Sequence, residues 1–305
     1  MDRHWLVAGI IGVLIWAFDL RATMTDPALQ SFFSAHQITA YKKISVGDSC
    51  DFVYKLVGKK NLFILKILNL RRPLQKRKAV VHMTAWAGRE GLGPELVWHD
   101  KTYHYMVMAF SKGRCLRADD LKNPLLFEKV VASMRKAHTA SLSHLEGVFP
   151  YPLKVRALRR GKEVMSYALQ NFRQIFRRLK SRFFKDSGDV NYNTVSHADI
   201  KVGNILLEEA ARPIFIDWGE VTVSSPYDDL GSFAHHFELD TYQEKRLLNL
   251  YFGRGPCAEE INHLRAHRRF AALNEVFWKI RVFCEKSNQN IIEMNKSMDF
   301  LQGFL

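Results

Sequence analysis

The stretch from Val195 to Glu220 constrains this chain more than any other. Two short apolar runs, Ile205-Leu206-Leu207 and Ile214-Phe215-Ile216, read as buried strands, with Glu208 to Arg212 as the turn between them. Three polar residues interrupt the apolar flanks: Asp199, Asn204 and Asp217. The predicted hairpin brings Asn204 and Asp217 together at one end. A carboxylate and an amide oxygen there suit Mg²⁺, a hard cation that takes oxygen ligands. Asp199, on the loop before the first strand, is placed to orient and deprotonate a hydroxyl. A loop base, an Asn and Asp for metal, and a strand lysine for phosphate oxygens are together the requirements of phosphoryl transfer.

His197-x-Asp199-x-x-x-x-Asn204, followed by Ile216-Asp217-Trp218-Gly219, resembles the catalytic and metal-binding loops of kinase-fold enzymes. The resemblance is to the aminoglycoside phosphotransferase and choline/thiamine kinase superfamily. There, an Asp-Pro-x-x-Asp-Leu segment follows. Here it reads Ser225-Pro226-Tyr227-Asp228-Asp229-Leu230, so Asp229 matches the second Asp and Ser225 replaces the first. The resemblance implies an α+β, two-lobed protein-kinase-like fold with a small β-rich N-lobe and a mostly helical C-lobe. The predicted division is a hydrophobic N-terminal segment at 1–23, an N-lobe at 24–110 and a C-lobe at 111–305.

Carried over by that resemblance, Asp199 is the catalytic base and Asn204 and Asp217 hold Mg²⁺. His197 supports the loop, and Lys201 stabilises the transferring phosphoryl group. In the N-lobe, Lys66 lies inside Leu62-Phe-Ile-Leu-Lys-Ile-Leu68, where a lysine is costly unless it meets an anion. It matches the lysine that binds ATP phosphates. Gly47 and Ser49 fall where the superfamily has its nucleotide loop, and Met108 to Phe110 would be the hinge that meets adenine. The sequence departs from the family in two places. The helix expected at 75–90 carries no acid near Lys78 to His82 to pair Lys66, Glu90 and Glu95 being the nearest. Lys201 stands where many small-molecule kinases of the superfamily have His, a feature shared with protein kinases. Trp218 and the lack of an Ala-Pro-Glu segment speak against protein kinase activity. The expected activity is ATP-dependent phosphorylation of a hydroxyl on a small molecule, sugar or lipid headgroup. The alternative, motivated by the missing helix acid, is a pseudokinase that binds a membrane or an anionic partner.

Charge narrows the acceptor. The 305-residue chain carries 45 Lys and Arg against 31 Asp and Glu, a net charge of +14. Eleven of the bases (Lys154, Arg156, Arg159, Arg160, Lys162, Arg173, Arg177, Arg178, Lys180, Arg182, Lys185) crowd into 154–185 with one acid, Glu163. Phe172, Ile175, Phe176 and Leu179 give this predicted helical segment a buried stripe. It lies just before the catalytic loop, where the superfamily often builds its acceptor pocket. Such a field repels cationic aminoglycosides and choline and favours an anionic acceptor or phospholipid headgroups. Nucleic acid as partner rests on charge alone and is disfavoured.

Four scattered cysteines without a C-x-x-C pair speak against a zinc site or disulfide framework. Residues 5–18 form an uninterrupted apolar run, short for a membrane span. It reads as a short anchor, as a helix packed on the domain, or as sequence upstream of a start at Met24. The resulting expectation is a cytoplasmic protein, with association to the cytosolic face of the inner membrane through 5–18 or 154–185.

Overall fold

A computed structural model describes residues 25–44, 51–165, 172–183, 193–285, 296–297, 299–301 and 303. Residues 5–18, Gly47 and Ser49 lie outside the described residues, as do parts of the basic segment, 166–171 and 184–192. The described chain forms two compact units. One runs up to Arg77 and adds Glu95–Phe110; the other takes Lys78–Pro94 and everything from Ser111 onward.

The first unit opens with helix α1 (Pro27–His36), which begins where Asp26 accepts the Ala28 amide at 2.8 Å and Pro27 pre-sets the first turn. Five strands follow: β1 (Ile38–Lys43), β2 (Phe52–Gly58), β3 (Leu62–Ile67), β4 (Leu96–His99) and β5 (Tyr105–Ala109). They pair antiparallel in the order β1-β2-β3-β5-β4. Leu29 and Phe32 of α1 pack on one sheet face against Tyr54, Leu56, Phe63, Leu65 and Val107. Strand alternation turns Phe63, Leu65 and Ile67 to that core and Lys66 to the other face.

The second unit starts within helix α2 (Leu74–Arg89), from Lys78 onward. Its remaining elements are β6 (Arg114–Cys115), α3 (Pro124–Ala137), α4 (Leu153–Met165), α5 (Phe172–Phe183), β7 (Thr194–Ser196), β8 (Ile205–Glu208), β9 (Arg212–Phe215), β10 (Thr222–Ser224), α6 (Pro226–His236), α7 (Thr241–Phe252) and α8 (Ala258–Glu285). The predicted hairpin is β8–β9, paired in register from Ile205↔Phe215 to Glu208↔Arg212. Its turn is a single 3₁₀ turn, Glu209–Ala211, with Ala210 and Ala211 at positive φ. Strand β6 pairs on the outer side of β8, and β7 pairs with β10 in a separate two-stranded ribbon.

The long α8 packs on both α4 and α6. Phe172, Ile175, Phe176 and Leu179 are buried, as their spacing predicts, against Phe270, Leu273, Phe277 and Ile280 of α8. Gly161 makes the α4–α5 contact close, because a Cβ there would fall 2.0 Å from the Phe176 ring. Thus the apolar side of the basic segment is core; Arg173, Arg177 and Arg178 are left exposed, whereas Arg156 is buried. Among the described residues, no helix is long and apolar enough to cross a membrane.

Candidate active site

The loop between β7 and β8 is suspended from α6. Helix α6 starts with Ser225 as its N-cap, whose Oγ accepts the Tyr227 amide at 3.2 Å, and Pro226 in the first turn. Ser225 therefore does in the helix start what an Asp at that position would do. One turn in, Asp229 is 1% exposed and accepts two loop amides, His197 N–H at 2.7 Å and Ala198 N–H at 2.8 Å. His138 of α3 is hydrogen-bonded to the same carboxylate at 3.0 Å and to the Tyr251 hydroxyl at 2.7 Å. Burial by itself would raise the Asp229 pKa. The His138 hydrogen bond, the nearby imidazoles and the Ala198 amide outweigh it and hold the carboxyl below its ordinary value. Ala198 takes the left-handed conformation, φ +64°, which a residue with a Cβ adopts only under constraint. The two amide bonds to Asp229 supply part of that constraint.

His197 is buried and bonded on both ring nitrogens. Nδ1 accepts the Asp199 amide at 3.3 Å and Nε2 donates to the Ile216 carbonyl at 2.9 Å, joining the loop to the strand end that precedes Asp217. Asp199 is fixed through one oxygen. Its Oδ2 accepts both Lys201 Nζ and Asn204 Nδ2 at 2.8 Å, whereas Oδ1 takes no hydrogen bond from the described residues. Asn204 is buried, and its Nδ2 also reaches the Asp199 carbonyl at 2.8 Å. That commitment leaves Oδ1 as the amide atom a cation would take. The Ile216 amide bonds to the Asn204 carbonyl at 3.0 Å, extending the β8–β9 ladder by one rung. This brings Asn204 beside the residue before Asp217. Asp217 sits at φ +62° and accepts the Gly219 amide at 3.2 Å. An amide oxygen and a carboxylate so placed are an all-oxygen set that fits Mg²⁺.

In the first unit, Lys66 is 4% exposed, and its ammonium lies 3.3 Å from Asp51 Oδ2. Arg72 approaches the same oxygen at 3.5 Å, and Asp51 Oδ1 accepts the Asn69 amide at 3.0 Å. The acid that pairs Lys66 is thus Asp51, at the foot of β2, a residue the sequence did not single out. Glu90, the sequence candidate for that role, is half-exposed and paired with Lys136 at 2.8 Å. Met108 lies on β5 opposite Ile64. The Phe110 amide donates to the Leu62 carbonyl at 3.1 Å and the Ala109 amide to Glu95 at 2.9 Å, so these two hinge donors are engaged by the sheet.

One other group among the described residues is close enough to share a metal ion. His235, His236 and Glu275 offer ligand atoms within 4.8 Å of one another. Glu275 already holds His235 Nε2 at 2.7 Å and Lys279 Nζ at 2.6 Å, and imidazole donors do not suit magnesium.

The family model described as the phosphotransferase enzyme family (APH) matches residues 41–264, which include every element of this site. The chain belongs to the phosphotransferase enzyme family. Solved structures agree with the family fold. A choline/ethanolamine kinase family protein from Mesorhizobium loti superposes with a TM-score of 0.66 at 16% identity over 94% of each chain. The choline kinase LicA from Streptococcus pneumoniae gives 0.65 at 14%, covering 92% of this chain and 99% of its own. The streptomycin–ATP ternary complex of APH(2")-IIa gives 0.61 at 14%, covering 91% and 96%. At such identities the shared feature is the kinase-like fold. No curated protein matches the chain in sequence. Family membership makes the chain a phosphotransferase, and the choice of acceptor is left to its own residues.

Proposed function

We propose that this phosphotransferase moves the γ-phosphoryl group of ATP to a hydroxyl of a small molecule, a sugar or a lipid headgroup, in the cytoplasm. The observation that carries the reading is the arrangement of Asp199. One carboxylate oxygen is pinned by Asn204 and Lys201, and the other is left to accept a proton. In the proposed step Oδ1 takes the proton of the acceptor hydroxyl. The acceptor oxygen bonds to the γ-phosphorus as the bond to the ADP oxygen breaks. Asn204 and Asp217 would hold Mg²⁺, which when bound neutralises charge on the phosphates. Lys66 would hold phosphate oxygens from its ion pair with Asp51. Lys201, within reach of Asp199, would offset charge on the group in transit. Gly47, Ser49 and the segment Met108–Phe110 stay as proposed nucleotide contacts.

The pseudokinase alternative drew on the missing helix glutamate. The buried Asp51–Lys66 pair weighs against that alternative, since the lysine has a carboxylate partner just before β2. The test is label transfer. The protein and its Asp199→Ala variant are incubated with γ-labelled ATP, Mg²⁺ and a cell extract separated into aqueous, lipid and protein fractions. Label in the aqueous or lipid fraction with the unmodified chain alone supports the reading. Equal labelling by both proteins would reject Asp199 as the base.

A further inference from the structure

Helix α4 carries two arginines one turn apart, Arg156 and Arg160, on the side that meets the Asp199 loop and α8. Arg156 is 4% exposed. Its Nη1 donates to the carbonyl of Ala198, the residue before Asp199, while Nε and Nη2 meet no acceptor among the described residues. Among the described residues Arg160 is held by one bond, from Nη1 to the Asn274 carbonyl of α8 at 3.3 Å. Two turns further along α8, Arg281 reaches Glu163 at 3.5 Å. Burial, and then the charge of Arg156, push the Arg160 pKa down. Arg281 adds to that, and Glu220 and Asp199 oppose it. Arg156, Arg281, Glu220 and Asp199 thus all act on the charge of Arg160. The other acids nearby are engaged: Glu163 by Arg159 and Arg281, and Glu275 by His235 and Lys279.

Arg156 and Arg160, one turn apart at the edge of a helical core, repel one another and lose hydration. Apolar side chains of similar size would pack there without that cost. An anion held between the two arginines would offset that cost. Such a site would lie beside the loop that carries Asp199, where an acceptor for that base would have to bind. We propose that Arg160, backed by Arg156, forms an anion subsite that selects an acceptor bearing a phosphate or carboxylate group next to the hydroxyl to be phosphorylated. The inference rests on Asp199 as the base of the proposed kinase reaction. It sets this chain apart from kinases named for choline or streptomycin, both cations, for which the same arginines would be repulsive. Arg160 would supply the directional contact, because among the described residues it bonds only through Nη1 and its Nε and Nη2 could make a bidentate bond. Arg156 acts as a positioning residue, holding the Ala198 carbonyl and hence the Asp199 loop against α4.

The experiment is calorimetric titration of the full chain, with Mg²⁺ and a non-hydrolysable ATP analogue at saturation so that the nucleotide site cannot take the probe. The probes are inorganic phosphate and glycerol 3-phosphate as anions, glycerol as the neutral control and choline as the cation. Phosphatidylglycerol vesicles, with pure phosphatidylcholine vesicles as blank, distinguish a lipid headgroup from a soluble anion. The expected result is binding of the soluble anions or of the phosphatidylglycerol vesicles, at least about tenfold tighter than glycerol or choline. Arg160→Met should weaken it by about tenfold or more and Arg160→Lys by less. Arg177→Met, which removes the same charge from an exposed position on α5, should leave it within about twofold. If Arg160→Met does not fold, the Arg160→Lys to Arg177→Met comparison carries the test. Equal binding of choline and glycerol 3-phosphate, or equal effects of the Arg160 and Arg177 changes, would overturn the subsite. Binding of the ATP analogue without any anion binding would overturn the subsite and leave the kinase reading standing. Failure of the analogue to bind would instead overturn the kinase reading.

Discussion

At the scale of single residues, the buried carboxylates of each unit differ in what they are bound to, and their expected mutational effects differ accordingly. Asp51 neutralises a lysine that is otherwise shut away from water. Asp51→Asn keeps the shape and removes the charge that Lys66 and Arg72 both approach. The expected outcome is a loss of about 3 kcal/mol in stability by urea titration, together with weaker binding of Mg-ATP. A variant as stable as the parent would mean that Asp51 is not the partner of Lys66. His236 carries a second residue-scale prediction. Its pKa is lowered to about 4, by burial first and then by His235 and Lys201, with Glu275 and Asp199 pulling the other way. The native state therefore keeps it neutral where the unfolded chain, with an ordinary value of about 6.5, takes up a proton. Between those values the unfolded state binds more protons, so stability falls as pH drops from about 6.5 to about 4, by roughly 2–3 kcal/mol. Thermal melts across that range should show the decline. His236→Asn should flatten it, and an unchanged slope in that variant would assign the decline to other groups.

At the scale of elements, α6 is the part on which the site depends. Adjacent carboxylates on its first turn tie it to different neighbours. Asp228 accepts the Leu153 amide that opens α4 at 2.7 Å and pairs with His267 of α8 at 2.6 Å, while Asp229 holds the catalytic loop. Gly231 lets α6 and α8 approach closely enough for this. A Cβ at 231 would lie 2.6 Å from the carbonyl carbon of His267 and 2.7 Å from the Arg268 nitrogen, both backbone atoms that cannot turn aside. Gly231→Ala should cost about 1–3 kcal/mol despite the better helix propensity of alanine, and should lower kcat by displacing Asp229. Gly255→Ala, where a Cβ meets nothing within 4 Å, serves as the control and should be close to neutral. Equal melting temperatures for the two variants would refute the packing account.

At the scale of the molecule, what was legible in the sequence follows from how far apart the interacting residues lie. The β8–β9 hairpin and the ladder that brings Asn204 toward Asp217 are local, so apolar runs and turn length were enough to predict them. The Asp51–Lys66 pair depends on strand register, and the Arg156–Ala198 bond spans 42 positions, so neither has a local signature. Ser225 looked like a departure from the family pattern because identity was compared; its capping bond shows that the local requirement was an oxygen acceptor. The basic stretch 154–185 showed its apolar stripe but not which arginines turn inward, since that is decided by α8, about a hundred residues away. Net charge, in contrast, was readable from composition, and it acts on the molecule as a whole. A chain at +14 with its bases concentrated before the Asp199 loop would draw in the proposed anionic acceptor over a distance that salt shortens, to about 10 Å at 0.1 M ionic strength. With ATP saturating, kcat/KM for the acceptor found by label transfer should fall about tenfold or more as KCl rises from about 50 to about 500 mM, while kcat changes little. The effect should reside in KM, because the field acts on capture and the Asp199 geometry is set by short, partly buried bonds that salt hardly reaches. A kcat/KM that holds steady or rises with salt would mean that the acceptor is not drawn in by charge, and the basic face would then be a solvated surface with no part in selection.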